Sequence, residues 1–420
     1  MYRRFPAACG LLSAGLLLSA SAAATNGYFT HGTGIRSQGM AGVAQALPQD
    51  SLAAATNPAA TALVGDQLDV GLTWFQPDRD ARIQGSGAGA DGHYDGNGDE
   101  QFLLPDLGYS RTLSPRLSWG IAIHGNGGMN TSYEQNPFAA FGSTGDAGVD
   151  FAQLFVTPSL AFQPMERHAF GIAVTYALQR FEGEGLDAFD NPFFSAEPGS
   201  VTDNGHDNAH GWGLSLGWIG QVHERLTLGL SWSSRIDTGE FDDYAGLFAD
   251  QGGFDVPEHY GAGFSWQATD DLTLAGDWQR IQYSETNSVG NELAPLLAGI
   301  PLGSDNGPGF GWDDVDVFKL GAQYALGDRF TLRAGVSHAD QPIPSDQTFF
   351  NILAPGVIED HVSIGFTWQS RSIGEWSLAH TRALDNRVKG QGSIPAAFGG
   401  GEVDLSMNQD ILGIGWSLSL

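Results

Sequence analysis

The sequence of 420 residues predicts an all-β fold: a 14-stranded antiparallel transmembrane β-barrel with an N-terminal plug, or hatch, inside its lumen. Three observations predict it. Segments of roughly 8 to 11 residues alternate bulky apolar with small or polar side chains. The connections between them alternate short and long, and tryptophans gather near the segment ends.

The chain opens on a basic start, Arg3 and Arg4, an apolar run from Leu11 to Leu18 and the small residues Ala22, Ala23 and Ala24. That order reads as an export signal over residues 1–24. The single cysteine, Cys9, lies inside it, so an exported chain holds no disulfide. No later stretch offers the roughly 20 apolar residues of a membrane helix. With 19 Lys and Arg against 48 Asp and Glu, the chain is too acidic to bind nucleic acid through phosphates. Aromatic residues at 11%, including eleven tryptophans, argue against disorder.

The barrel is expected over residues 67–420. Its strands read near 68–76, 101–112, 116–125, 151–163, 168–182, 209–222, 225–236, 256–268, 271–284, 312–326, 329–339, 359–369, 374–384 and 405–420. Two of them show the pattern plainly. Phe170, Ile172, Val174, Tyr176 and Leu178 alternate with Ala, Gly and Thr, and Leu226, Leu228, Leu230 and Trp232 alternate with Thr227, Gly229 and Ser231. The bulky face suits lipid and the small face a filled lumen. Even-numbered strands are followed by short turns such as "HER" and "GD", and odd-numbered ones by long loops rich in Gly, Asp and Asn. Trp119, Trp218, Trp266, Trp368, Trp376 and Trp416 fall near the periplasmic ends, and Trp74, Trp212, Trp232 and Trp312 near the outer ends. Indole prefers the headgroup level, so two girdles mark a spanning barrel.

Residues 25–66 precede the first strand. They are rich in Ala and Gly, with a helix-like piece from Gln49 to Thr56 that Pro58 ends. Asn57, before a proline, is biased toward an extended backbone. A 14-stranded lumen is too wide for its own side chains to fill, and this segment is long enough to stopper it. A periplasmic tail with an ordinary turn is the other reading.

The run "NGYFTHGTGIRSQGMAGVAQALPQDSLAAATNPAA", residues 26–60, resembles the N-terminal region of the FadL/TodX family, outer-membrane transporters of long-chain fatty acids and aromatic hydrocarbons. "HGNGGMNTSY" at 124–133 resembles that family as well. The resemblance implies passive uptake of a hydrophobic ligand across the bacterial outer membrane: capture at outer loops, a pocket near the hatch N-terminus, and lateral exit through a distorted third strand. By position it implies ligand contacts at Asn26, Tyr28 and Phe29, and a corner at Asn57, Pro58 and Ala59 facing the wall opening. Gly125, Gly127 and Gly128 would permit the distortion, since glycine marks bends and interrupted pairing. The last residue, Leu420, departs from the usual aromatic end of such barrels.

For the ligand, the third outer loop offers Phe189, Phe193 and Phe194, and the fourth Phe241, Tyr244, Leu247, Phe248 and Phe254. They either form a greasy landing site or glue the loops together. The fifth loop's "NELAPLLAGIPLG" is a further candidate. On the lumen face, Asp277, Lys319 and Arg333 come from consecutive strands. They either clamp the hatch or, through Lys319 and Arg333, pair with a fatty-acid carboxylate. "DGNGDE" at 95–100 has the alternating oxygens of a calcium loop but Glu100 where glycine belongs, and the histidines lack paired metal spacing. No metal and no cofactor is expected. His361 and Ser363 lie two apart on the lumen face, a poor start for a nucleophile, so no enzyme is expected either. The expected partners are a hydrophobic small molecule, outer-membrane lipid and lipopolysaccharide, with the barrel a monomer. A porin for small solutes and an outer-membrane receptor or adhesin are the alternatives.

Overall fold

The computed structural model describes residues 26–420. The export signal over 1–24 and the first residue of the expected hatch lie outside the described residues. The sheet runs β1 (Gln67–Gln84), β2 (Gly92–Asp95), β3 (Phe102–Ser114), β4 (Leu117–Tyr133), β5 (Ala147–Met165), β6 (His168–Glu184), β7 (Asp207–His223), β8 (Leu226–Ser233), β9 (His259–Gln267), β10 (Leu272–Ile281), β11 (Val315–Leu326), β12 (Phe330–Ala339), β13 (Asp360–Gln369), β14 (Glu375–Val388) and β15 (Glu402–Ser419). Neighbours pair antiparallel in chain order, except that β3 skips β2 to pair with β1, and β15 closes on β1 from Gln67↔Ser419 to Gln84↔Glu402. Fourteen strands form the wall. The fifteenth, β2, is a short arm folded back on the outer half of β1, Asp80↔Asp95 to Ile83↔Gly92.

The sequence places the end of the first strand at 76, yet β1 runs on to Gln84. Above the lipid the polarity of the alternation inverts: Ala81 and Ile83 are buried inside while Asp80 and Arg82 face out. The same extension carries β4 to Tyr133 and starts β5 at Ala147. Lower down, Phe170, Ile172, Val174, Leu230 and Ile364 point out and are exposed, as a lipid-facing wall requires.

The small inner face has a packing reason. Residues 26–66 lie against it, and their backbone approaches the wall too closely for any side chain. A Cβ on Gly229 would stand 2.0 Å from the Gln45 carbonyl oxygen, and one on Gly335 2.4 Å from the Met40 carbonyl carbon. Inside, α1 (Ile35–Gln38) is followed by two 3-10 helices. Asp50 caps Ser51–Ala55 by accepting from the Leu52 N–H at 3.1 Å. Asn57, extended at φ −143°, caps Pro58–Ala62 by accepting from the Ala59 N–H at 3.1 Å. Pro58 thus opens a second turn as well as following the first, in the position where its missing N–H costs nothing.

Candidate functional site

The wall is not evenly paired. β3 bonds to β4 only from Leu107↔Ile123 to Ser114↔Leu117. Above that, Phe102 to Asp106 stay on β1, while β4 bulges between Gly125 and Gly127 and stays with β5. A seam opens between them. Pro105 sits on its β3 side and has no N–H to offer a ladder. This proline, inside the expected strand 101–112, is the signal that sequence reasoning passed over.

The first described residues take up the edge that β4 turns inward. The Thr30 N–H donates to Asn126 O at 2.7 Å, and the Gly128 N–H donates to Tyr28 O at 2.9 Å. A Cβ on Gly127 would lie 1.7 Å from that Tyr28 oxygen, so the contact needs glycine. Asn26 to Phe29 and Gly125 to Gly128, two separate expectations, thus form one structure. Around them stands an aromatic cage: Tyr28 lies 5.0 Å from Tyr283, 5.8 Å from Phe254, 5.9 Å from Trp312 and 6.0 Å from Phe151, ring centre to ring centre. The Tyr283 hydroxyl donates to Asn26 O and accepts from the Phe29 N–H. Burial holds that hydroxyl far above the usual phenol range, so it stays a donor at any physiological pH. Both polar atoms of the Asn26 amide are buried without a partner. Beneath the cage is a cavity of about 70 Å³ bordered by Phe29, His124, Phe155, Ser215, Ile236 and Lys319.

The charged lumen residues bond the N-terminal segment. Asp277 Oδ2 accepts from the N–H groups of Ala44 at 2.7 Å and Gln45 at 3.0 Å. Lys319 Nζ donates to His31 O at 2.8 Å while also bordering the cavity. Arg333 donates to Gln49 Oε1 and Thr367 Oγ1, both at 2.6 Å. Arg333 thus ties Gln49 of the N-terminal segment to Thr367 of the wall, which is the clamping reading of these charges.

A correction concerns Asn57, Pro58 and Ala59. The resemblance implies a corner facing the wall opening, but it docks two to three strands further round. Gly171 on β6 and Gly217 on β7 are paired across the ladder and leave a recess. A Cβ on Gly171 would meet Pro58 C at 2.2 Å, and one on Gly217 would meet Asn57 Oδ1 at 2.0 Å. Asn57 Nδ2 donates to Gln45 O, Trp218 O and Leu230 O at 3.0 to 3.2 Å. The corner fills the recess that the glycine pair provides.

The profile of the outer membrane protein transport protein family (OMPP1/FadL/TodX) matches residues 16–373. The chain belongs to this family. A long-chain fatty acid transport protein of Salmonella typhi is 22% identical over 278 residues, which cover 59% of this chain and 62% of that protein. The chain therefore spans 62% of the length of the curated relative it matches. A Pseudomonas aeruginosa FadL homologue superposes with a TM-score of 0.70 at 17% identity, over 94% of this chain and 99% of that one. The P. putida toluene transporter TodX gives 0.67 at 17%, over 93% and 99%. These likenesses show the barrel fold. The family is one of outer-membrane transport proteins rather than of enzymes.

In this FadL/TodX barrel the outer-loop aromatics divide by role. Phe189, Phe241, Tyr244 and Phe248 are buried, and Phe193 is 81% exposed. Tyr244 is loop scaffold: its hydroxyl donates to Gly205 O at 2.7 Å and accepts from the Gly183 N–H at 3.1 Å. Phe241 packs on Phe181 at 5.7 Å within the same core. Both side chains are fully buried in the loop core. Phe189, Leu247 and Phe248 border an apolar cleft of about 40 Å³ completed by Leu302, Phe310 and Phe350. Leu302 belongs to the fifth-loop stretch already singled out, whereas Phe310 and Phe350 carry no signal beyond being aromatic. Phe194 packs edge-on against Phe189 at 5.7 Å, and Phe193 against Phe194 at 4.8 Å. His361 stacks on His31 of the plug at 5.3 Å, and Ser363 bonds Thr381 at 2.7 Å, so the two do not meet as a catalytic pair. Asn97, in the calcium-like loop, gives its amide oxygen to Arg79 and its nitrogen to Asp78.

Proposed function

We propose that the protein is a channel for passive uptake of hydrophobic small molecules, long-chain fatty acids or aromatic hydrocarbons. The ligand lands on the exposed Phe193 and enters the apolar cleft at Phe189, Leu247 and Phe248. It then reaches the Tyr28 cage, where Asn26 offers two hydrogen-bonding atoms to any polar group it carries. It leaves sideways into the membrane between β3 and β4. Residues 26–66 act as the hatch, closing the axial route. Each barrel carries the whole path, so it works as a monomer, its outer wall facing lipid and lipopolysaccharide.

One observation carries this reading: the ladder between β3 and β4 stops at Leu107↔Ile123 while both strands continue. An unpaired stretch of wall costs hydrogen bonds in lipid, which barrels otherwise make in full. The toluene and fatty-acid transport named for the relatives agrees with an apolar cargo.

Closing the seam is the test. A Cβ on Gly125 would stand 3.9 Å from Leu104 Cδ2 across it. A Leu104→Cys/Gly125→Cys pair joined by a short thiol cross-linker, in a chain whose one native cysteine is Cys9, is expected to cut uptake at least tenfold and to recover on reduction. Full uptake with the seam cross-linked refutes lateral exit.

A further inference from the structure

The upper end of the seam is held by one side chain. Arg79, on the outer half of β1, is 1% exposed. Its Nη1 donates to the backbone oxygen of Asn130 on β4 and, at 3.1 Å, to Asn130 Oδ1. Nη2 donates to Asp99 O, and Nε to Asn97 Oδ1 at 3.4 Å. Its guanidinium carbon stands 6.0 Å from the Phe102 ring centre. Beside it the loop meets β4 directly: the Gly98 N–H donates to Ser132 O at 3.0 Å, and the Ser132 N–H to Gly96 O at 3.1 Å.

These acceptors of the guanidinium are all neutral, and no carboxylate oxygen lies within ion-pair distance of it among the described residues. The carboxylates of Asp78, Asp99 and Glu100 stand near enough to favour its charge, but none reaches the guanidinium, whose bonds all go to neutral oxygens. What the arginine alone supplies is reach in three directions from one plane, tying β1, the 95–101 loop and β4 together.

Its position explains the need. Just inside, a cavity of about 20 Å³ is bordered by Phe75, Arg79, Gly128, Met129 and Trp312, next to the cage. On the far side a cleft of about 630 Å³ is bordered by Phe102 and Thr131, which face inward, and by Leu103, Asn130 and Asp150, which face outward. Residues of both faces thus meet in one cleft beside the unpaired edges of β3 and β4. Asn130 borders both spaces. Beneath the Arg79–Asn130 bonds lies the stretch of β4 from Ile123 to Asn130, roughly 20 Å along the strand, which the proposed lateral route would cross.

We propose that Arg79 is a positioning residue that fixes the upper edge of the lateral doorway and so limits the size of the molecule that leaves. The inference rests on lateral exit between β3 and β4. Arg79→Met keeps length and apolar bulk but removes the fork; Asn130→Ala removes its side-chain acceptor on β4 and leaves Arg79 in place. Uptake of pyrene and of a one-ring arene is measured side by side in cells, with heat-modifiable gel mobility reporting the folded barrel. Arg79→Met is expected to raise the pyrene-to-one-ring ratio at least fivefold, Asn130→Ala to raise it less, and Arg79→Lys, which keeps charge without the fork, to resemble Met. A ratio unchanged in Arg79→Met and Asn130→Ala, or both rates falling in parallel, overturns the role of Arg79. The barrel cross-linked through Leu104→Cys and Gly125→Cys separates the two readings. If it still carries both probes, lateral exit itself is wrong; if it carries neither while the ratio stays flat, only the arginine is misassigned.

Discussion

Removing Asp277 should unseat the middle of the hatch without unfolding the barrel. Its Oδ2 accepts two backbone N–H groups, from Ala44 and Gln45, while its Oδ1 is buried with no partner. In Asp277→Asn the amide oxygen can keep both bonds and the nitrogen takes the place of the idle Oδ1. The loss is the charge assistance, about 1 kcal/mol for each bond, or about 2 kcal/mol in all. Asp277→Ala removes both bonds and leaves two buried N–H groups unpaired, a loss of about 4 kcal/mol. If the stretch around Ala44 exchanges by local opening, these figures become a roughly 30-fold and a roughly thousandfold rise in amide exchange. Hydrogen–deuterium exchange of the 40–47 region in detergent micelles reads this directly, with strand amides as the internal control. Exchange in Asp277→Ala within threefold of the native protein would refute the anchoring role. So would a rise shared equally by the strands, which would mean that the barrel had loosened rather than the hatch.

Two further outcomes follow from the same geometry. Gly217→Ala puts a methyl where Asn57 Oδ1 lies 2.0 Å away, so the corner must leave its recess at a cost of about 1 to 3 kcal/mol. Exchange at residues 56–60 should rise while gel mobility stays native, and unchanged exchange would show that the corner is not seated there. Burial, with Asp69 beside it, pushes the Asp50 carboxyl up to about 7. The seated hatch therefore binds a proton that the released hatch gives up, so the stabilisation is full below the ordinary carboxylate range and is lost as pH rises through about 7. Exchange around Ser51–Ala55 should be slower at pH 5.5 than at pH 8 after correction for intrinsic rates, and Asp50→Asn should flatten the difference.

Much of the barrel was legible because lipid imposes a rule on single residues. Leu230 and Ile364 must face out, and Gly229 and Gly335 must face a backbone, so alternation and connection length suffice to count the wall. Where lipid ends, the rule ends. The outer half of β1, with Asp80 and Arg82 outside and Ala81 and Ile83 inside, inverts the polarity and reads as loop. The site was legible in pieces: Tyr28 and Gly127 each stood out, but that they bond each other follows from a strand bending inward, which no local pattern announces. The seating of Asn57 depended on Gly171 and Gly217 being opposite one another, a matter of register between strands roughly 40 residues apart. Arg79 was invisible for the same reason, since its acceptors lie 18 to 51 residues away.

The distribution of anchors decides which part of the hatch can move during transport. Asp277, Lys319 and Arg333 hold residues 31 to 49 against the β10 to β13 side, and Asn57 locks the corner into β6 and β7. Those anchors are charge-assisted or multiple hydrogen bonds between buried groups, and the backbone there packs on glycines without room for a side chain. The segment at the seam is held differently. Two neutral backbone bonds join Tyr28 and Thr30 to β4, and the Tyr283 hydroxyl bonds Asn26 O and the Phe29 N–H, so this segment is held by neutral hydrogen bonds and aromatic packing rather than by charged groups. A ligand entering the cage competes with Tyr28 for the same ring faces at Phe254, Tyr283 and Trp312. The expected motion is therefore local: Asn26 to Thr30 peels from β4 while the remainder stays seated, opening the seam without opening the axis. Under the proposed lateral exit, such a motion would pass an apolar molecule sideways while the seated remainder keeps the axis closed to polar solutes, which a hatch released as a whole would not do.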